Sequence, residues 1–130
     1  MAVRSDLTVR PAGARDHLGV MRVLDGANLA VDASVVEDRI GAGTALVADD
    51  ENRIVGALVA VLRDGTGAHV EAVGVRRRRR DQGVGSRLVG AAVARWRPLT
   101  ADFDPGVKPF YDALGFDCER RGDRYRGVLG

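Results

Sequence analysis

The residues best equipped for chemistry lie between positions 69 and 89 of this 130-residue chain. They read His69-Val70-Glu71-Ala72-Val73-Gly74-Val75, then five consecutive arginines at 76–80, then Asp81-Gln82-Gly83-Val84-Gly85-Ser86-Arg87-Leu88-Val89. That order suggests an apolar strand, a basic loop, a glycine-rich turn and the start of a helix. Glycines let backbone N–H groups approach an anion closely, and the first turn of a helix adds unpaired donors and about half a positive charge. A phosphate or diphosphate is the natural guest of such a corner. The dinucleotide-binding pattern needs a third glycine where Leu88 stands, and a Walker loop needs Gly-Lys-Ser/Thr, which this stretch lacks. What remains is Arg80-x-x-Gly83-x-Gly85. Metal chemistry finds no support, because there is one cysteine, Cys118, and the two histidines, His17 and His69, are far apart.

The rest of the chain must position that corner. Residues 7–10 alternate as a strand ending at Pro11, and residues 14–25 carry Leu18, Met21 and Leu24 at helical spacing. A second helix over 33–40 is closed by Gly41 and Gly43. Strands at 44–48 and 53–63 form a hairpin whose second arm is apolar enough to be buried on both faces. A turn at 64–67 leads into a strand over 68–75. After the glycine corner, a helix over 84–96 places Leu88, Val89, Ala92 and Val93 on one face. A strand at 98–103, a helix at 105–114 opened by Pro105 and stopped by Gly115, and a hairpin of 116–120 with 124–129 complete the order. The predicted class is an α/β sandwich with a mixed sheet, in a single domain over 1–130.

Composition narrows the partners. With 45% hydrophobic and 29% charged residues the chain is neither a disordered tail, a collagen-like repeat nor a membrane protein, and its longest apolar run, 54–62, is too short for a spanning helix. No signal-like stretch opens the sequence, so a cytoplasmic location is expected. The formal charge is +2, yet without the arginine run the remainder leans acidic. A basic spot on a near-neutral body points to a polyanion of limited size, with nucleic acid also open.

Two signatures together carry a resemblance. The first is Arg80-x-x-Gly83-x-Gly85 following a strand; the second is Phe110-Tyr111-Asp112-Ala113-Leu114-Gly115-Phe116, one strand later. Both, and the element order over essentially the whole chain, resemble the GNAT N-acetyltransferases. The resemblance implies the family's mixed, mostly antiparallel sheet with splayed central strands flanked by helices, and acetyl-CoA as co-substrate for direct acetyl transfer to a primary amine of a small molecule or peptide. It places backbone groups of Val73, Val75 and Arg77 along the pantetheine arm. The turn from Gln82 through Gly83, Val84 and Gly85 to Ser86 would hold the diphosphate, and one or two arginines the 3′-phosphate. Tyr111 matches the family position that donates to the departing thiolate. Asp81 departs from the family's usual glycine, brings a carboxylate near the diphosphate, and would be offset by Arg80. Arg77 replaces a frequent proline, and Asp104 a common asparagine.

A base, where the acceptor needs one, is expected at Glu71, which shares a face with Val75 by period-two spacing; Asp102 follows, then Asp104. His69 shares the face of Glu71 but lies further from the splay. Gly74 suits a strand bulge there. The acceptor would enter over the first two helices, past Asp25, Asn28, Asp32 and Glu37. Two other readings stay open: a nucleic-acid-binding domain using the arginine run, and an acyl-CoA sensor without turnover. A homodimer is compatible with each.

Overall fold

Two strand systems that diverge where they meet dominate the computed structural model, which describes residues 7–27, 29–63 and 65–130. The strands are β1 (Leu7–Pro11), β2 (Ala45–Asp50), β3 (Arg53–Leu62), β4 (Ala68–Val75), β5 (Leu99–Phe103), β6 (Asp117–Arg121) and β7 (Arg124–Leu129). They form a seven-stranded sheet in the order β1-β2-β3-β4-β5-β7-β6. Every neighbouring pair is antiparallel except β4 with β5. The helices are α1 (His17–Gly26), α2 (Ala33–Ala42), α3 (Val84–Arg95) and α4 (Lys108–Ala113). The mixed, mostly antiparallel α/β class expected from the sequence is the one observed.

The sheet separates two apolar layers. On one side α3 buries Val84, Leu88, Val89, Ala92 and Val93 against Leu46, Leu58, Val70, Leu99 and Phe103. On the other, α1 and α2 bury Val20, Val23, Leu24 and Val36 against Val47, Ala57, Val59 and Ala72. Strand β3 feeds both layers and is fully buried from Val55 to Ala60, which is why its sequence is apolar without alternation. The phase of α1 differs from the expected one: Leu18 is 59% exposed, and Val20, Val23 and Leu24 face inward. Gly19 fixes that phase, since a Cβ there would lie 2.9 Å from Ile54.

The parallel β4–β5 contact is short. Ala68, His69 and Val70 pair with Leu99, Thr100 and Ala101, and the strands then part. Strand β4 stays with β3 as far as Val75, whereas β5 follows β7 as far as Phe103 opposite Tyr125. Each strand keeps its antiparallel partner, so the twist of the two halves opens a wedge between residues 71–75 and 102–103.

The bulge lies elsewhere than expected. Register shifts between Val59 and Ala60, leaving Glu71 as the extra residue of β4, while Gly74 pairs regularly with Ala57. The shift breaks the period-two count. Val73 and Val75 pack toward α3, and Glu71 turns to the opposite face, where Arg39 of α2 holds it. Glycine at 74 answers a different need, because a Cβ would come within 3.3 Å of Leu24 and Ala27.

Candidate active site in the strand wedge

The wedge opens into a cleft of about 820 Å³, lined by β4, β5, the glycine corner, α4 and the end of α1. Its first feature is backbone. Arg76 N–H donates to the Val55 carbonyl, so by antiparallel alternation Gly74 and Ala72 point their polar groups at β3. Val73 and Val75 therefore turn theirs into the wedge. The Val75 carbonyl accepts Arg80 Nε at 3.1 Å, and both residues line the cleft.

The glycine corner follows. Asp81 (φ 62°) and Gly83 (φ 82°) both adopt the left-handed conformation, which bends the chain sharply before α3. Gly83 caps α3, and the first helical bond runs from Arg87 N–H to the Gly83 carbonyl. The N–H groups of Val84, Gly85 and Ser86 precede that bond and have no intrahelical acceptor. All three residues line the cleft, as do Arg79, Arg80, Asp81 and Gly83.

The arginine run divides its labour. Arg76 Nε reaches the Ile54 carbonyl, Arg79 Nη1 pairs with Asp50 at 2.6 Å, and Arg80 holds Val75. Arg77 and Arg78, in a 3-10 turn, are exposed, make no side-chain hydrogen bond among the described residues, and do not line the cleft. The expected Arg80–Asp81 pair is not formed, because the Arg80 guanidinium is drawn back to the strand. Gln82 also lies outside the lining: its amide donates to the Arg78 carbonyl and accepts from Arg79 Nε. It braces the corner instead of facing the cleft.

Opposite stands Tyr111, 4% exposed, stacked on Phe103 with centroids 4.2 Å apart and edge-on to Phe110 and Phe116. It lines the cleft, and its hydroxyl has no hydrogen-bond partner among the described residues. Burial pushes the phenol up to about 12, so it remains a donor throughout the neutral range.

Three carboxylates line the outer part of the cleft, each met by an arginine from another element. Glu71 receives Arg39 Nε at 2.6 Å and Nη2 at 3.1 Å. Asp102 receives Arg126 at 2.5 and 3.1 Å, and that guanidinium holds its carboxyl below the usual carboxylate range. Asp104 receives Arg124 at 2.9 Å. His69 lies behind Asp102, with Nε2 at 3.6 Å from Oδ2 and Nδ1 at 2.6 Å from Thr100 Oγ1; burial lowers the pKa of its ring against the pull of Asp102.

The negative approach expected over the first helices is not what borders the cleft. Ala27 and Leu29 are the parts of that region in the lining; Asp25, Asp32 and Glu37 are exposed outside it, and Asn28 lies outside the described residues. Cys118 is also outside the cleft, with burial raising the pKa of its thiol. Sequence reasoning missed Arg124, which only the β5–β7 register brings beside Asp104, and the apolar wall of Leu29, Val107 and Phe110. Among the described residues no group of three or more His, Cys, Asp or Glu could hold a metal ion, and no helix is long and apolar enough to cross a membrane.

A seven-stranded sheet parted between its two parallel strands, with a helix N-terminus lining the gap, defines an α/β fold with an anion-suited cleft at the parting. The chain belongs to the GNAT acetyltransferase family, whose domain model matches residues 41–118, and is accordingly an N-acetyltransferase. No curated protein matches it. Solved structures agree in fold. A GNAT family acetyltransferase from Brucella melitensis in complex with acetyl-CoA is 17% identical, with TM-score 0.72 over 98% of this chain and 90% of that one. Arabidopsis thaliana Naa50, in complex with a bisubstrate analogue CoA-Ac-MVNAL, is 14% identical, with TM-score 0.76 over 94% and 96%. The diaminobutyrate acetyltransferase EctA from Paenibacillus lautus, in complex with L-2,4-diaminobutyric acid and coenzyme A, is 15% identical, with TM-score 0.74 over 98% and 96%.

Proposed function

We propose that the 130 residues act as one catalytic domain that moves acetyl from acetyl-CoA directly to a primary amine of a small molecule or peptide, within the wedge between β4 and β5. The observation carrying this reading is the alignment of wedge-facing backbone groups at Val73 and Val75 with the free N–H groups of Val84, Gly85 and Ser86. The pantetheine arm pairs with β4 as a missing strand, and the diphosphate sits on the helix start. Arg80 belongs to the site by fixing the Val75 carbonyl, and Asp81 by its left-handed bend. Structures of the same fold solved in complex with acetyl-CoA or a CoA bisubstrate analogue support the choice of coenzyme.

The amine nitrogen attacks the thioester carbonyl, the resulting tetrahedral intermediate collapses, and the C–S bond breaks to release coenzyme A thiolate. The proton lost by the amine and the proton gained by the thiolate balance. Tyr111 supports the departing sulfur by a hydrogen bond. Full transfer from a phenol near 12 to a thiol near 8.5 is uphill by about 5 kcal/mol, so the thiolate takes its proton from water. At pH 7 an α-amine loses its proton for about 1 kcal/mol and a lysine-like amine for about 4.6 kcal/mol, so a base matters mainly for the latter. Glu71 and then Asp102 guide that proton through water, each anchored by its arginine.

Three of the five run arginines are engaged internally, which weighs against an extended nucleic-acid surface. The test combines a thermal shift with acetyl-CoA and a thiol-release assay over an amine panel. Stabilisation with release supports the reading. Stabilisation without release from any amine points to a coenzyme sensor, and salt-resistant retention on DNA without stabilisation points to a nucleic-acid module.

A further inference from the structure

We infer that the acceptor carries a carboxylate of its own, as an amino acid does, and that Arg124 receives it. This rests on the acetyl-transfer reading above and specifies the amine. Outside the glycine corner the cleft presents three carboxylates, Glu71, Asp102 and Asp104, and each already holds a guanidinium, from Arg39, Arg126 and Arg124. Three negative charges face three positive ones. A bare ammonium entering here exchanges one cation for another and gains little. An acceptor with both charges instead inserts ion for ion: its amine approaches Glu71 and Asp102, and its carboxylate takes a guanidinium.

Arg124 is the arginine placed to do this. Of the three guanidiniums it alone belongs to a residue lining the cleft. Its side chain is 51% exposed, so access is open. It commits Nε to Asp104 at 2.9 Å and Nη2 to the Asp102 carbonyl at 3.4 Å. A guanidinium carries five N–H donors in a planar fork, so three remain, enough for a two-point grip on a carboxylate. The same sheet face presents Arg126 and Glu119 beside Asp102, in register across β5, β7 and β6. Leu29 and Val107 flank the mouth and suit an apolar side chain.

The experiment compares thiol release from free L-amino acids with release from their carboxamides, using acetyl-CoA and the intact protein. The carboxamide removes the negative charge and makes the amine a weaker base, which by itself would favour it as a nucleophile at pH 7.5. The expected result is a kcat/KM at least tenfold higher for the free acid, and Arg124→Gln brings that ratio close to one. Arg124→Lys, which keeps the charge but loses the fork, retains part of the preference. Carboxamides turned over as fast as acids, or turnover confined to amines that lack a carboxylate, would overturn the inference while leaving acetyl transfer intact. Absence of both coenzyme binding and thiol release would overturn the transfer reading and this inference together.

Discussion

At the scale of single residues, the site works through groups whose surroundings set their chemistry. Tyr111 is held in an aromatic stack and kept neutral by burial, so its contribution is a directed hydrogen bond. Tyr111→Phe is expected to lower kcat by about tenfold or more while leaving the KM for acetyl-CoA nearly unchanged, measured by steady-state thiol release. Gly83 acts through conformation. A Cβ there would touch nothing within 4 Å, but φ is +82°, where a non-glycine residue costs about 1–2 kcal/mol and a β-branched one more. Gly83→Val should therefore weaken coenzyme binding strongly and Gly83→Asn only modestly, as read by titration calorimetry. Equal effects of the two would show that bulk, not backbone, governs the position. Much at this scale was legible in advance, since Gly83, Gly85 and Tyr111 stand in recognisable spacings. The partners of Glu71, Asp102 and Asp104 were not, because Arg39, Arg126 and Arg124 lie 20 to 32 residues away and meet them only through the packing of α2 on the sheet and the β5–β7 register.

At the scale of elements, the loop before α3 is braced from a distance. Arg79 links Asp50 at the end of β2 to Gln82, and Gln82 closes on the Arg78 carbonyl. Arg79→Ala is expected to raise the KM for acetyl-CoA several-fold with kcat little changed. Exchanging the pair as Arg79→Asp with Asp50→Arg should recover part of that loss, which a simple phosphate contact by Arg79 would not allow. The element order and nearly all boundaries follow from glycine, proline and apolar spacing. Two features escape that logic. In α1 the set Leu18, Met21, Leu24 and the set Val20, Val23, Leu24 both fit a helical stripe, and only the close approach of Gly19 to Ile54 decides between them. In β4 the bulge at Glu71 has no local sequence signal, because it comes from matching β3 across the sheet.

At the scale of the whole molecule, two buried groups make stability depend on pH. The Tyr111 phenol is raised from 10 to about 12, so folding favours its neutral form. That contribution is complete below pH 10 and is lost as pH rises toward 12, on the order of 3 kcal/mol. On the acid side Asp16, 7% exposed, is held below the usual carboxylate range by Arg10, which also reaches Asp49 and so ties β1 to β2. Its contribution is present above about pH 4 and is lost as pH falls through the lowered value. Urea unfolding midpoints across pH should fall at both ends, and Tyr111→Phe should flatten the alkaline limb alone.

The central claim is that the parted strands and the helix start between them receive a thioester coenzyme. An amide chemical-shift map of the folded protein, followed during titration with acetyl-CoA, tests it most directly. Saturable shifts concentrated at Val73, Val75, Val84, Gly85 and Ser86 are the predicted result. Saturable binding whose shifts fall elsewhere, with those five amides unmoved, would contradict it.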